Sequence, residues 1–225
     1  MRRRGSSKNR PGLWVAVFGP DGAGKSAAIQ RLTEELSPCF PSVQRFHFRF
    51  RPMFALRCQD LPPVTNPHGK PPRGFFPSIL KLLFWLADYC YGYVSTIRPA
   101  LVNSGLILFD RYYHDVLIDP HRYRLPGSTL GFAKLLLRLV PQPDLYILLD
   151  VPAEVLQQRK PEVTCQESHR QRLAYLQMFE SMPNAVIVDA ACPLDNVTQQ
   201  IKTVILDAIV DCTLDRNEVP LIARA

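Results

Sequence analysis

The sequence lacks the patterns that define several classes of protein. Its six cysteines are scattered, with no C-x-x-C pair and no histidines at the spacing of a zinc site. This distribution indicates reduced thiols in a cytoplasmic protein rather than a disulfide framework or a metal centre. The basic stretch up to Arg10 lacks the apolar core of a secretory signal. We therefore predict that residues 1–12 form a basic, disordered tail.

An uninterrupted apolar run of membrane length is also missing. Residues 75–97 are apolar and long enough to span a bilayer, but Lys81 and Asp88 interrupt them. Their apolar side chains recur at helical spacing after Pro77 and Ser78, a pair that is typical of a helix start. The pattern predicts a long buried helix instead of a membrane span, and this helix is a candidate subunit contact in a homodimer.

The charge balance favours small anionic ligands. The 225 residues carry 27 Lys and Arg against 20 Asp and Glu, a net charge of +7, and 47% are hydrophobic. A chain of this size can bury one sizeable core. Its basic residues cluster in the N-terminal tail or near the candidate site, without a nucleic-acid recognition motif. We therefore expect no nucleic acid among its partners.

The most informative segment is the run from Gly19 to Ser26, which reads GPDGAGKS. It fits the phosphate-binding pattern G-x-x-x-x-G-K-[ST] and lies between an apolar stretch of strand length and a segment rich in helix formers. In such a loop the backbone N–H groups and the helix dipole face an anion, the lysine reaches the β- and γ-phosphates, and the hydroxyl binds Mg²⁺. The predicted nucleotide-binding residues of this segment are Gly19, Asp21, Gly22, Ala23, Gly24, Lys25, Ser26 and Ala27.

The rest of the chain alternates between strands and helices. Apolar strands are predicted at residues 13–18, 42–50, 105–109, 145–149 and 185–188. Continuous apolar strands separated by helices are typical of a parallel sheet that is covered on both faces. We predict a three-layer α/β domain over residues 13–212, with a mostly parallel five-stranded sheet, and a C-terminal tail over residues 213–225. Ligands bind at the carboxyl ends of such strands.

Acidic residues close two of these strands. Asp110 ends the third and is followed by Arg111, and Asp150 ends the fourth. Beside a phosphate loop, Asp110 can hold Mg²⁺ or accept a proton from the attacking oxygen, and the sequence leaves both roles open. Arg111 offers a bidentate fork for a phosphate. The candidate catalytic residues are therefore Lys25, Asp110 and Arg111, and the candidate metal ligands are Ser26 and Asp110. Asp150 either caps the next helix or contacts a ligand.

Four segments of the chain resemble the thymidylate kinase-like branch of the nucleoside monophosphate kinases, within the P-loop NTPases. They are the phosphate loop with Phe18, the run LFDRY at 108–112, the run PDLYILLDVP at 143–152, and NAVIVD at 184–189. The resemblance implies a P-loop kinase that uses ATP and Mg²⁺ to phosphorylate a nucleoside monophosphate. It further implies that Arg111 and Tyr112 act at the acceptor phosphate, that Arg159 belongs to a mobile basic lid, and that residues 189–193 pass near the adenine.

The acceptor side departs from that family. The Arg-Glu-Pro segment that follows the second strand there is replaced by FHFRFRP at 46–52, and the glutamine that reads thymine is missing after Tyr112. Alternation along the replacement places Arg49 and Arg51 on one face at the strand's end. The residues predicted to bind the acceptor are Arg49, Arg51, Arg111, Tyr112 and His114. We expect this acceptor to be small and anionic, and dTMP to be a poor substrate of the enzyme. The alternatives are a sugar or sugar phosphate acceptor, and a nucleotide-binding module without turnover.

Overall fold

The computed structural model describes residues 12–49, 71–159 and 163–217, with side chains as far as residue 210. The strands are β1 (Leu13–Phe18), β2 (Val43–His47), β3 (Leu106–Asp110), β4 (Leu145–Asp150) and β5 (Ala185–Asp189). The helices are α1 (Lys25–Leu36), α2 (Phe75–Gly92), α3 (Arg98–Val102), α4 (Asp115–Ile118), α5 (Leu130–Leu137), α6 (Ala153–Arg159), α7 (Cys165–Glu180) and α8 (Leu194–Asn217). The last helix extends beyond residue 212, the predicted domain boundary, and most of the N-terminal tail lies outside the described residues.

The five strands form one parallel sheet in the order β2-β3-β1-β4-β5. This arrangement confirms the predicted α/β fold. Because every strand runs in the same direction, the carboxyl ends of β1, β3 and β4 meet at one edge. The register places Val17 opposite Asp110, directly before the phosphate loop, and Asp150 opposite Asp189. Distant parts of the sequence therefore contribute to one site.

The two faces of the sheet are covered by cores of different composition. Val15 and Val17 of β1 face α1 and α8, where the packing is aliphatic and includes Leu32 and Ile201. Intervening β1 residues face the other way, into a core built with α2, α5 and α7. That second core is rich in aromatic rings, namely Trp14, Phe18, Trp85, Tyr89, Phe109, Tyr112, Tyr113, Tyr146, Tyr175 and Phe179. Burial of both faces explains why the strands are apolar at successive positions.

The tyrosines of the aromatic core also hold particular backbone segments. The hydroxyl of Tyr112 donates to the carbonyl oxygen of Pro141 at 2.7 Å, and that of Tyr113 donates to the carbonyl oxygen of Ala133 at 3.2 Å. The Tyr89 hydroxyl donates to the carbonyl of Phe48, the residue that follows β2. Each of these rings is buried, so its polar tip needs such a partner.

The predicted helix at residues 75–97 is present, but only one of its faces is buried. α2 is followed by a π-helical turn at Tyr93–Ile97 and then by α3. Leu82, Trp85 and Tyr89 pack into the core, whereas Phe76 is 82% exposed and Leu80 is 70% exposed. The predicted helix is therefore buried along one face, and its other face is exposed in the single chain. Within the described part of the chain, no helix combines the length and the apolar character needed to cross a membrane.

The second strand ends earlier than the alternation predicts. β2 stops at His47, and Phe48 adopts a left-handed backbone conformation with φ 57°. Its N–H group donates to the carbonyl oxygen of Asp110 at 2.8 Å, which fixes the turn beside β3. The predicted strand over 42–50 was thus too long, and most of the proline-rich loop at 52–74 lies outside the described residues.

Candidate active site

The phosphate loop connects β1 to α1 in a conformation that requires its glycines. Gly19, Gly22 and Gly24 have φ values of 143°, 85° and 85°, a region that side chains with a Cβ rarely adopt. A Cβ on Gly19 would also lie 2.7 Å from the carbonyl oxygen of Leu149. The glycines therefore allow the chain to turn sharply into α1, whose free N–H groups and positive dipole end face the loop.

Lys25 is held against the backbone of this loop. Its ammonium donates to the carbonyl oxygens of Gly19 at 2.7 Å and Pro20 at 2.6 Å, and the residue is buried. The side chain thus folds back over the loop from the first position of α1. A fixed positive charge at this place is suited to phosphate oxygens.

Ser26 and Asp110 meet at the carboxyl edge of the sheet. The Ser26 hydroxyl donates to Oδ2 of Asp110 at 2.5 Å, although 84 residues separate them in the sequence. Asp110 is 1% exposed, and its Oδ1 atom has no hydrogen-bond partner among the described residues. A hydroxyl next to a buried carboxylate oxygen that lacks a partner is a donor set that fits Mg²⁺, which prefers oxygen ligands.

The charge state of Asp110 supports this fit. Burial is the largest single influence on its pKa and acts to raise it. A hydrogen bond from His47, the charge of Lys25 and the Ser26 hydroxyl together outweigh burial and hold the pKa of Asp110 well below its usual range. The His47 Nδ1 atom lies 3.6 Å from Oδ2 of Asp110. Asp110 is therefore a carboxylate at neutral pH.

Arg111 connects the phosphate loop to α4. Its backbone has φ 67°, and its Nη1 donates to Asp115 at 2.5 Å while Nη2 donates to Asp21. Burial acts to lower the pKa of Arg111, but the charge of Asp115 raises it above the ordinary value. Arg111 thus stays charged and lies at the phosphate loop, as the sequence predicts.

A second arginine, Arg122, also contacts Asp21 in the phosphate loop. Arg122 donates to the other carboxylate oxygen of Asp21, and its backbone N–H donates to Asp119 at 3.1 Å. Asp115 and Asp119 in turn accept hydrogen bonds from side chains of neighbouring elements. The Tyr123 hydroxyl, for example, donates to Oδ2 of Asp115 at 2.8 Å. Arg122 and Asp21 are 101 residues apart, so no local pattern could have revealed the pair.

The arginines expected near the lid have other partners. Arg159 donates to the carbonyl oxygens of Ala190 and Ala191, at 2.8 and 3.1 Å, in the loop that the resemblance places near adenine. Arg172 forms a bidentate pair with Asp150, at 2.6 and 2.8 Å. Asp150 is thereby a partner of α7. Lys160, which follows Arg159 in the sequence, lies outside the described residues.

The expected acceptor residues are divided between the cleft edge and the core. Arg49 lies beside Asp88 and over the ring of Trp85. Tyr112 and His114 are buried in the aromatic core, where His114 packs edge-on against Phe18 and Tyr146. Arg51 lies outside the described residues. Arg49 and Arg111 therefore lie at the edge of the site, whereas Tyr112 and His114 lie beneath it in the core.

His114 is expected to make folding stability depend on pH. Burial, opposed only in part by the charge of Asp115, lowers the pKa of His114 to about 4. The unfolded chain binds the proton more tightly, with a pKa near 6.5, so this contribution to stability is complete above that pH and is lost as the pH falls towards 4. For this reason we expect the free energy of unfolding to fall by about 2 kcal/mol between pH 7.5 and pH 5. Urea unfolding at both pH values should show it in the wild type and not in His114→Phe. An equal pH dependence in both proteins would contradict a buried neutral His114.

Arg111→Lys is expected to weaken the fold while keeping the charge. A single ammonium cannot reproduce the guanidinium fork that reaches both Asp21 and Asp115, so one charged hydrogen bond is lost. The expected loss is about 1–3 kcal/mol in the free energy of unfolding, measured with urea. The exposed Arg138→Lys change serves as the control and should have little effect. Equal stability of the two variants would show that the fork is not needed.

The chain was compared with known proteins. No protein-family model matches it. It is 27% identical over 210 residues to a thymidylate kinase of Leifsonia xyli subsp. xyli, covering 86% of this chain and 94% of that protein. Thymidylate kinases of Xanthomonas oryzae pv. oryzae and Photobacterium profundum are 24% and 25% identical, over 89% and 84% of this chain and 86% and 93% of their own. These similarities cover most of the chain, support a thymidylate kinase-like family and indicate a P-loop kinase.

Proposed function

We propose that this kinase transfers the γ-phosphoryl group of ATP to a small anionic acceptor of the nucleoside monophosphate type, with Mg²⁺ as cofactor. The observation that carries the proposal is the contact of Ser26 with Asp110 beside Lys25. Lys25 and Ser26 begin α1, and Asp110 ends β3; together they offer a cation for phosphate and oxygen ligands for a metal. The names of the matched relatives support a nucleotide as substrate.

The chain's own residues would act by positioning and by charge. The loop N–H groups and Lys25 bind the phosphates of the donor, and Arg111 lies where the phosphate loop meets the acceptor side. The acceptor oxygen forms a bond to the γ-phosphorus while the bond to the bridging oxygen breaks, and that electron pair leaves with ADP. Mg²⁺ bound by Ser26 and Asp110 would neutralise negative charge on the transferring group. A phosphate acceptor needs no proton transfer in this step.

We favour the metal-binding role for Asp110 over that of a general base. A carboxyl group whose pKa lies well below its usual range is a weak proton acceptor. The described part of the chain contains no group of three or more His, Cys, Asp or Glu side chains that could hold a metal ion by themselves. Mg²⁺ sites with substrate phosphates commonly use only one or two protein ligands, so Ser26 and Asp110 suffice.

The proposed function is tested by ATP turnover. ADP release should be measured with dTMP, other nucleoside monophosphates, sugars and sugar phosphates, each with and without Mg²⁺. We expect Mg²⁺-dependent turnover that requires an anionic acceptor, with dTMP used poorly. Selective and efficient phosphorylation of dTMP would contradict our account of the acceptor side. Tight ATP binding without turnover for any acceptor would favour the nucleotide-binding module instead.

We further propose a homodimer that forms through the outer face of α2. Phe76, Leu80 and Phe84 lie on this face at helical spacing, and all three are exposed in the single chain. A contiguous apolar stripe of this kind is typical of a protein contact. Sedimentation velocity should show a dimer for the wild type and a monomer for Leu80→Glu. A wild-type monomer at micromolar concentration would contradict the proposal.

A further inference from the structure

Lys81 and Arg49 lie over the ring of Trp85 at the edge of the site, and Arg73 and Arg124 lie near Lys81. The Lys81 ammonium lies 4.6 Å from the centre of the Trp85 ring, and the guanidinium carbon of Arg49 lies 5.2 Å from it. Lys81 also donates to the carbonyl oxygen of Tyr123 at 2.5 Å. Arg73 and Arg124 join them through the loop backbone, where the Arg73 N–H donates to the Arg124 carbonyl oxygen at 2.9 Å. We call Arg49, Arg73, Lys81 and Arg124 the Trp85 cation cluster.

The described residues supply little negative charge to this cluster. Asp88, whose Oδ2 lies 3.8 Å from Arg49, is the one carboxylate within ion-pair distance of the four cations among the described residues. Burial lowers the pKa of Lys81 to about 8, and the charges of Arg73, Arg49 and Arg124 contribute to this shift in that order. These cations are therefore close enough to repel one another. Like charges held together in this way are unfavourable until an anion joins them.

The aromatic rings beneath the cluster are not available to stack on a base. Trp85 is 4% exposed and Phe48 is 8% exposed. Phe48 stacks on Tyr123 with ring centres 4.5 Å apart, and both rings also pack edge-on against Trp85. Their faces are thus occupied by each other and by the cations above. The surface that this part of the molecule offers to a ligand is cationic rather than aromatic.

The cluster adjoins the proposed site for phosphoryl transfer. The Phe48 N–H donates to the carbonyl oxygen of Asp110 at 2.8 Å, so the chain leading to Arg49 starts from the metal ligand. On the other side, the Tyr123 hydroxyl donates to Asp115, the partner of Arg111. Both connections link the cluster to residues beside the proposed site, Asp110 and Asp115.

We infer that Lys81, Arg124 and Arg73 bind an oxyanion of the acceptor, a phosphate ester or a carboxylate, that is distinct from the oxygen receiving the phosphoryl group. Within the proposed class of acceptors, this inference favours molecules that carry the second oxyanion in addition to the phosphate that receives the phosphoryl group. This inference rests on the proposed phosphotransferase function. It adds a binding site on α2 and the loop after Asp119 to the acceptor residues expected from the sequence.

Kinetics with matched acceptors test the inference. Pairs that differ only in an oxyanion are ribose with ribose 5-phosphate, glucose with glucuronate and with glucose 6-phosphate, and dTMP with thymidine 3′,5′-bisphosphate. We expect kcat/KM to be at least about tenfold higher for the more anionic member of each pair. The phosphate and carboxylate pairs then identify which oxyanion is preferred.

A variant of Lys81 tests the same inference. Lys81→Met, which keeps the apolar stem over Trp85, should raise the acceptor KM about tenfold and leave the KM for ATP unchanged. The exposed Lys134→Met on α5 is the control for loss of one charge.

Direct binding provides a test that does not depend on turnover. The chain has two tryptophans, Trp14 and Trp85, so labelling with 5-fluorotryptophan gives two ¹⁹F signals that a Trp14→Phe variant assigns. Inorganic phosphate should shift the Trp85 signal with saturation, matched chloride should not, and Lys81→Met should weaken the effect about tenfold. A saturable shift without any turnover would contradict the proposed function but retain the anion site. Turnover with no shift, and with equal KM values for Lys81→Met and Lys134→Met, would overturn the inference alone.

Discussion

Replacing Lys25 with alanine is expected to abolish phosphoryl transfer while the protein remains folded. The ammonium is fixed at the start of α1 by two carbonyl oxygens of the phosphate loop, where charge develops on the phosphates during transfer. Loss of such a preorganised charge lowers kcat by about a hundredfold to a thousandfold. The measurement is steady-state ADP release for the purified variant, together with a thermal melt to show a cooperative fold.

The matched control for this variant is Lys202→Ala. Lys202 donates to Glu35 at 2.8 Å on the partly exposed surface between α1 and α8, so its loss should change kcat less than about twofold. Unchanged transfer by Lys25→Ala would remove the basis for assigning GPDGAGKS to phosphate binding. Equal losses for the two lysine variants would indicate a general effect of charge.

Asp110→Asn is expected to lower kcat by about a hundredfold to a thousandfold. Asparagine keeps the size of the side chain and can still accept the Ser26 hydrogen bond, but it removes the negative charge that would hold Mg²⁺. The Mg²⁺ concentration needed for half-maximal activity should therefore rise, whereas the KM for the acceptor should change little. Both quantities follow from kinetics over a range of Mg²⁺ concentrations.

Asp150→Asn is the control for the loss of a carboxylate at the same edge of the sheet. Asp150 ends β4, the strand next to β1, and is paired with Arg172. We therefore expect the Mg²⁺ dependence of the Asp150→Asn enzyme to match that of the wild type. An Asp110→Asn enzyme with unchanged Mg²⁺ dependence and an altered pH profile of kcat would instead assign Asp110 as a general base.

The convergence of the site could be predicted because it depends on two local patterns. The apolar strands β1, β3 and β4 identify a buried parallel sheet, and such a sheet brings the residues after its strands to one edge. Gly19, Ser26 and Asp110 could therefore be placed together from the sequence. The contact of Ser26 with Asp110 at 2.5 Å agrees with that prediction.

The directions of individual side chains could not be predicted in the same way. His114 follows Arg111 closely in the sequence, but the left-handed backbone at Arg111 turns the chain so that His114 enters the aromatic core. The alternation through 42–50 likewise continues past the point where Phe48 leaves the strand. Both turns depend on contacts with residues far along the chain, which a local pattern does not contain.

Only part of the acceptor side could be predicted from the sequence. The cations near Arg49 indicated an anionic ligand, but the contribution of Lys81 was hidden in an apolar helix. Lys81 lies four residues before Trp85 on α2, so helical spacing alone brings its ammonium over that ring. The packing of Phe48 against Trp85 brings Arg49 to the same ring, and this contact could not be predicted locally. The pairing of Arg122 with Asp21 could not be predicted, since the two residues belong to distant loops.

The difference between the two cores has a consequence for how the sequence can vary. Val15, Leu32 and Ile201 fill the α1 and α8 side by shape alone, so exchanges among aliphatic residues of similar volume should be accepted there. On the other side, the hydroxyls of Tyr112 and Tyr113 each hold a specific carbonyl group, and no aliphatic residue can replace that contact. Natural or selected variants should therefore accumulate freely on one face of the sheet and remain restricted on the face that supports the acceptor side.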